Sequence, residues 1–526
     1  MRPHLMFADR DFELPWPGPR AAAAAPPAAW ETALSDDLAL TTLERTMAGE
    51  DAFLLAVARR ALRDAVHNDA AVIRHRQDVL RDFLRMPQLA ETLYALVTDA
   101  LERKRRRHFT LGTLQRYPGS ALHWAVQVLQ LFIDALRELR DLGRLHAHDC
   151  RSAGLRELFA TLERELDDDY LAQVGRQLDE LRFEHGLLVG ARLGPGNISA
   201  GHALLRPHDR RSLLDRLTQA LDPRTRSNSF VLDPRDEQGF TILGELRDRA
   251  VARAAAACTQ AAEHIAGFFA AARAELGFHV GCLRLHAVLT QLDVPLCFPD
   301  PEPAGSLRMQ LSELRDPCLA LTLGTPVVGS TLRLDDRRLV VITGANRGGK
   351  SSFLRGLGVA QLMMQSGMFV AAASCALEVC SGLYTHFRRE EDRSMQHGKL
   401  DEELARLSGL VDHLRPGSLL LSNESFASTN EREGAEIGHQ VLQALRERGV
   451  RVVLVTHLWE LARRLQAESR GDCGFVRAEV GADGVPTFRV IEGAPQPSSH
   501  GPELYDRLFA GRVHAIEHAT ENQHHE

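Results

Sequence analysis

Lysine is nearly absent from this chain: among 526 residues it occurs only as Lys104, Lys350 and Lys399, and arginine carries the rest of the positive charge. Arginine richness is thus a property of the whole sequence and marks no nucleic-acid contact by itself. The formal net charge of -7 provides no global attraction to DNA or to acidic membranes, so any such contact must come from a local patch. The eight cysteines, Cys150 to Cys473, include no CxxC pair and no His/Cys ligand spacing, which argues against a zinc site or a disulfide framework and fits a reducing compartment. No stretch approaches the roughly 18 apolar residues of a membrane span, which argues against an integral transporter. Asp9, Asp11 and Glu13 stand where a secretory signal would be basic and then apolar. With 44% hydrophobic and 25% charged residues, the composition is that of a soluble globular protein. The length allows about three or four domains. The expected location is cytoplasmic and nucleoid-associated.

One stretch of the sequence carries most of the chemistry. Gly344-Ala345-Asn346-Arg347-Gly348-Gly349-Lys350-Ser351-Ser352 follows a β-branched apolar run, Leu339 to Thr343, and precedes a helical stripe of Phe353, Leu354, Leu357, Ala360, Leu362 and Met363. Glycines at this place let backbone N–H groups turn inward on phosphates. Lys350 offers a point charge to the β- and γ-phosphates, Ser351 a hydroxyl for Mg²⁺, and the helix start a favourable dipole. The residues therefore predict ATP and Mg²⁺ as ligands.

Hydrolysis of a nucleotide also needs a carboxylate near the metal and a base that positions water. Ser418 to Ser422 reads as a strand delivering Asn423 and Glu424 at its C-terminal end, where open α/β sheets hold their ligands. Asn423 could meet the metal through a bound water, without contributing charge. Glu424 is the candidate general base. A further strand, Arg451 to Val455, ends in Thr456 and His457, and that histidine could sense the γ-phosphate through the attacking water.

Along the chain, residues 1–33 read as an irregular leader rich in proline and alanine, and 34–305 as mainly helical. Ile73, Val79, Leu80, Phe83 and Leu84 recur at helical spacing and Pro87 ends that segment. A strand-containing insertion is expected near 186–243, with strands at Leu187–Leu193, Ser229–Leu232 and Phe240–Leu243. Glu245 to Leu276 then reads as one alanine-rich helix. Past Pro299, Pro301 and Pro303, strands alternate with helices over 306–515, ahead of a polar tail at 516–526. The fold class predicted is α/β plus all-α.

The stretch Thr343 to Ser352, with its asparagine and double glycine, resembles the phosphate loop of the MutS mismatch-repair ATPases. Gln365 to Ala372 is similar to the segment that follows it there, Asn423 to Gly434 to the Walker B and interface loop, and Thr456-His457 to the switch histidine. The likeness is strong from about Leu311 to Leu465. It is weaker at Asn68–Leu84 and Glu245–Leu276, which look like that family's core and lever helices. The resemblance implies a helical core and lever region followed by an ABC-type P-loop ATPase domain. It further implies a homodimer through the ATPase domains and coupling of ATP state to a clamp on DNA.

Several positions depart from the family pattern. Asn423 replaces an aspartate, and Gly398-Lys399-Leu400 replace the Ser/Thr and aromatic of the trans-acting signature, of which Glu403 alone matches. No Phe-x-Glu wedge occurs, and the leader before Leu34 is too short for the domain that carries it, so direct mismatch reading is not expected. Mismatched, branched or otherwise distorted DNA all remain as substrates. The densest basic run, Arg103-Lys104-Arg105-Arg106-Arg107-His108, is the first candidate for phosphate contact, and Arg206, Arg210 and Arg211 are the second. A nucleotide-gated scaffold with little hydrolysis is the alternative reading. A transporter ATPase is disfavoured, since no Leu-Ser-Gly-Gly-Gln occurs.

Overall fold

A computed structural model describes residues 2–12, 14, 28–111, 117–183, 186–197, 199–205, 235–389, 398–469, 471–482 and 484–496. The architecture is mixed, helical first and α/β later. In chain order come helices α1 (Ala29–Asp37), α2 (Leu40–Ala48), α3 (Ala52–Arg63), α4 (Ala70–Arg85), α5 (Pro87–Leu111), α6 (Pro118–His146), α7 (Ala153–Glu165) and α8 (Asp168–Glu180). A hairpin of β1 (Val189–Leu193) and β2 (Ser199–Leu204) precedes the long α9 (Glu237–Gln291). The α/β part runs β3 (Asp300–Glu302), β4 (Met309–Leu314), α10 (Pro317–Leu323), β5 (Ser330–Arg333), β6 (Leu339–Thr343), α11 (Lys350–Gln365), β7 (Ser374–Glu378) and β8 (Leu383–Phe387). It continues with α12 (Lys399–Val411), β9 (Leu419–Asn423), α13 (Glu431–Glu447), β10 (Arg451–Val455), α14 (Trp459–Ala467), β11 (Cys473–Val480) and β12 (Pro486–Glu492).

Two compact units form. The first comprises Gln88–Leu276, the second Leu5–Pro87 together with the residues from Gly277 on. In the first unit the long helices pack through aromatic and small residues. Phe132 of α6 stacks on Phe269 of α9 with ring centroids 5.2 Å apart, and Gly143 leaves room for the Phe159 ring, which a Cβ would approach to 2.8 Å. Asp248 of α9 accepts the Gly119 N–H at the start of α6, at 2.9 Å, satisfying one of the donors that a helix start leaves open.

In the second unit a six-stranded sheet has the order β12-β11-β6-β10-β9-β8, parallel except for the edge strand β12. Parallel strands buried on both faces need apolar residues throughout, and all five residues of β6 and of β10 are buried. One face packs on α12, α13 and α14 through Leu407, Leu410, Leu442, Leu445, Leu461 and Leu465. α11 is buried nearly all round because it also meets the N-terminal helical segment: a Cβ on Gly358 would strike both Leu421 of β9 and Leu38. A second, four-stranded sheet has the order β3-β7-β4-β5.

Pro87 does end the α4 segment, at Arg85, and opens the next helix. Two expectations fail. Phe240–Leu243 is helix and not strand: it lies in the first turns of α9, with Phe240, Ile242 and Leu243 exposed. Extending an existing helix costs little, whereas a strand there would need a partner. The leader is not merely irregular, because Leu5, Met6, Phe7 and Phe12 are buried and a helix already begins at Ala29. The Leu187–Leu193 strand is present as β1, paired with β2. The expected strand at Ser229–Leu232, the cations Arg206, Arg210 and Arg211, and the tail at 516–526 lie outside the described residues.

Candidate nucleotide site

Register sets the geometry of the site. Val455 at the end of β10 pairs with Asn423 of β9 and with Ile342 of β6, and Phe387 of β8 also pairs with Asn423. Four parallel strands therefore end at one level, and the residues that follow them share one rim of the sheet. Ligands of open α/β sheets bind beyond these carboxyl ends.

The glycine loop leaves β6 through Gly344, at φ 113°, and enters α11 through Gly349, at φ 89°. Both conformations suit glycine. Space is restricted as well: a Cβ on Gly348 would lie 2.7 Å from Ala478 of β11, and one on Gly349 would lie 2.3 Å from the Phe488 carbonyl of β12. The loop is thus a backbone cradle pressed against the β11–β12 hairpin. Arg347 also adopts a left-handed conformation, at φ 59°, and it and Asn346 are exposed at the crest. Lys350 is 4% exposed and donates to the Gly344 and Ala345 carbonyls, each at 2.7 Å. Burial pulls its amine down to about 8, opposed by the charge of Glu424.

Ser351 Oγ donates to Asn423 Oδ1 at 3.2 Å, so the two residues expected near a metal do meet. Glu424 follows at φ 57°, its N–H bonded to the Val455 carbonyl at 2.8 Å. His457 Nε2–H donates to Glu424 Oε1 at 2.8 Å. That bond holds the Glu424 carboxyl below the usual carboxylate range, with burial opposing and His457, Lys350 and Arg388 assisting. Lys350, Ser351, Asn423, Glu424 and His457 therefore converge from three segments, the ends of β6, β9 and β10 and the residues after them. Ser352 follows in the first turn of α11.

These residues fit a triphosphate with a divalent cation. The cradle admits no side chain at Gly348 or Gly349, Lys350 is a buried cation, and two neutral oxygens stand 3.2 Å apart at its edge.

Other residues of the rim are not marked by any sequence motif. Arg388, just past β8, donates its N–H to the Asn423 carbonyl at 2.9 Å and brings its guanidinium within 3.8 Å of Glu424 Oε2. A cation at a strand end in the sheet was the available signal. Beside the cradle, Val490 N–H bonds Ser330 Oγ at 3.0 Å, and two residues before each lie Phe488 and Val328, both exposed. Glu403, the match to the trans-acting signature, faces inward at 3% exposure and accepts the Phe426 N–H at 2.6 Å.

The basic run lies on α5, in the helical unit. Arg103 pairs with Asp99 at 2.7 Å, Arg106 with Glu102 at 3.7 Å, and Lys104 with Glu263 of α9 at 2.7 Å. Arg107 donates to the Gln127 carbonyl of α6, and Arg105 is exposed. Lys104 and Arg107 thus tie α5 to its neighbours, while Arg103 and Arg106 are paired within the helix.

The rim and its loop are those of a nucleotide-dependent protein, and two family models place it: the MutS2 N-terminal domain matches residues 68–292, and MutS domain V matches residues 340–511. The chain belongs to the MutS family. Among curated proteins it is similar to Endonuclease MutS2 of Anaeromyxobacter sp. (strain Fw109-5), 36% identical over 199 residues, which cover 36% of this chain and 24% of that protein. Endonuclease MutS2 of Thermomicrobium roseum is 31% identical over 229 residues, 43% of this chain and 28% of its own. The Thermus thermophilus protein of the same name is 33% identical over 172 residues, 32% and 23% of the two chains. The matched region thus spans about a quarter of each of these relatives.

Proposed function

We propose that the chain is a DNA-binding ATPase of DNA repair or recombination. In this reading residues 306–515 form an ABC-type P-loop domain and 34–305 a helical core and lever region, with ATP state governing how DNA is held. The convergence of Lys350, Ser351, Asn423, Glu424 and His457 on one rim carries the reading. Gly344 to Ser352 would enclose the phosphates, with Lys350 leaving the loop carbonyls for phosphate oxygens. Mg²⁺ would be held by Ser351 and, through water, by Asn423, and supplies charge neutralisation between the β- and γ-phosphates. Glu424 is ionised at neutral pH and stands at the strand end as the base that orients water, while His457 fixes its carboxylate through the 2.8 Å bond. Exposed Phe488 and Val328 offer an apolar face for the base of the nucleotide.

Partners in this reading are DNA and a second copy of the chain meeting through the ATPase domains. The relatives are named endonucleases MutS2, which supports a role on DNA, and a cytoplasmic, nucleoid-associated site of action follows from it. A second reading, a nucleotide-gated scaffold that hydrolyses little, is favoured by neutral Asn423 and by the hold of His457 and Arg388 on Glu424.

Steady-state turnover with and without DNA tests both. Lys350→Ala should abolish ATP binding, whereas Glu424→Gln should bind ATP and lose roughly 10²-fold in turnover, the usual cost of a positioned base. Parent-rate hydrolysis by Glu424→Gln would remove it as the base, and negligible turnover by the parent would favour the scaffold.

A further inference from the structure

The turn after β9 is held at three successive residues by three different elements. Glu424 N–H is bonded to Val455 of β10. The Ser425 hydroxyl is buried with His386 Nδ1 of β8 at 2.7 Å and with Ser422 Oγ at 2.6 Å. Phe426 N–H donates to Glu403 Oε1 of α12 at 2.6 Å. Two of the three have positive φ, 57° at Glu424 and 67° at Phe426. For residues other than glycine this conformation is strained, so the turn would relax without its bonds. Behind it, a Cβ on Gly434 would lie 2.3 Å from the Phe426 carbonyl, so the chain is confined on that side too.

Glu403 is an odd occupant of its place. Together with Leu407 and Leu410 it forms the buried stripe of α12, at the i, i+4 and i+7 positions. Packing alone would select another leucine there. Instead the stripe begins with a carboxylate whose Oε2 is buried and has no hydrogen-bond partner among the described residues. A half-satisfied buried carboxylate is unfavourable relative to an apolar side chain, so the bond to Phe426 is what gives the residue its use.

We propose that Glu403 is a positioning residue for Glu424: it sets the Phe426 amide, hence the path of the backbone out of β9 and the aim of the Glu424 carboxylate. The proposal rests on the reading of Glu424 as the base. Glu403 lies in the second turn of α12, whose first residue is Lys399, so a shift of this helix start reaches the base through one hydrogen bond. The residue that resembles a trans-acting signature thereby acts within its own subunit.

The test compares Glu403→Asp, which keeps the charge but falls one methylene short of the amide, with Glu403→Gln, whose Oε1 can accept the same bond. kcat and KM for Mg-ATP and the Kd of a fluorescent ATP analogue are measured, each variant alone and combined with Glu424→Gln. Glu403→Asp should lower kcat tenfold or more with the analogue Kd within threefold of the parent, and Glu403→Gln should recover most of kcat. In the Glu424→Gln background, Glu403→Asp should cause no further loss, since a misaimed base and a missing base are the same defect. A parent-like kcat for Glu403→Asp while Glu424→Gln is impaired would overturn this proposal alone. So would a loss of analogue binding parallel to kcat, or a full multiplication of the two defects. Parent-rate hydrolysis by Glu424→Gln by itself would overturn the reading of the base and this proposal with it.

Discussion

Asn423 puts an uncharged oxygen 3.2 Å from the Ser351 hydroxyl, at a place where a carboxylate would attract a divalent cation more strongly. Asn423→Asp should therefore lower the Mg²⁺ concentration that gives half-maximal ATPase, and an unchanged or higher requirement would mean that the position does not face the metal. His386, one strand away, sets a pH dependence. Burial pushes its pKa down to about 4, with Arg406 assisting, so the folded protein holds it neutral. The unfolded chain takes up a proton near 6.5. Stability from this group is thus full above about pH 6.5 and falls as the pH drops toward 4, by up to about 1.4 kcal/mol per pH unit. Denaturant unfolding at pH 7 and pH 5 should show a shallower decline for His386→Gln than for the parent. At this scale the sequence was most legible where side chains follow strand ends: Lys350, Ser351, Asn423, Glu424 and His457 meet because β6, β9 and β10 finish in register. Arg388 is marked only as a cation at a strand end, while Phe488 and the inward turn of Glu403 depend on strands and helices far apart in sequence, and no local pattern announces them.

Helix α11 is the element on which the second unit turns, since it begins at the cradle and ends against the N-terminal helical segment. Gln365 accepts Asn68 Nδ2 on its carbonyl at 2.8 Å, and buried Arg76 bonds the Met6 carbonyl at 2.8 Å and the Ser366 carbonyl at 3.3 Å. Gly367 closes this joint at φ 80°, where a Cβ would lie 2.3 Å from Arg76 Cβ. Gly367→Ala should therefore destabilise the protein by about 2 kcal/mol or more, through backbone strain and the displaced arginine, read as a fall in the denaturation midpoint. A change below about 0.5 kcal/mol would show that the joint is plastic. The elements themselves were uneven to read. The long amphipathic segment ending at Pro87 is evident from its 3.6 period. Phe240–Leu243 is not, because four apolar residues suit a strand or a helix equally, and α9 absorbed them.

For the molecule as a whole, mismatch discrimination needs a side chain that stacks into the duplex and a polar partner on the base edge. These 526 residues contain no Phe-x-Glu. A single mispair in an otherwise identical duplex should accordingly change affinity by less than about 1 kcal/mol, at or below the usual cost of one altered base pair. Junctions or flaps should be favoured over plain duplex, with strong salt dependence, in titrations at stated salt. A tenfold or greater preference for the mismatched duplex would reveal a reader in the helical region.

The wall of the cradle carries a consequence for synthesis. Gly348 and Gly349 rest on Ala478 and Phe488, and β6 has β11 as one of its two neighbours, more than 130 residues later in the chain. A nascent chain that has emerged only as far as α14 has β6 beside β10 with its other edge unpaired, in a unit whose N-terminal helices are already out. Such an exposed parallel edge is a pairing hazard until the last hairpin arrives. Termination before β11 would release a protein with most of its core and an open-sided phosphate loop, a natural client for a chaperone.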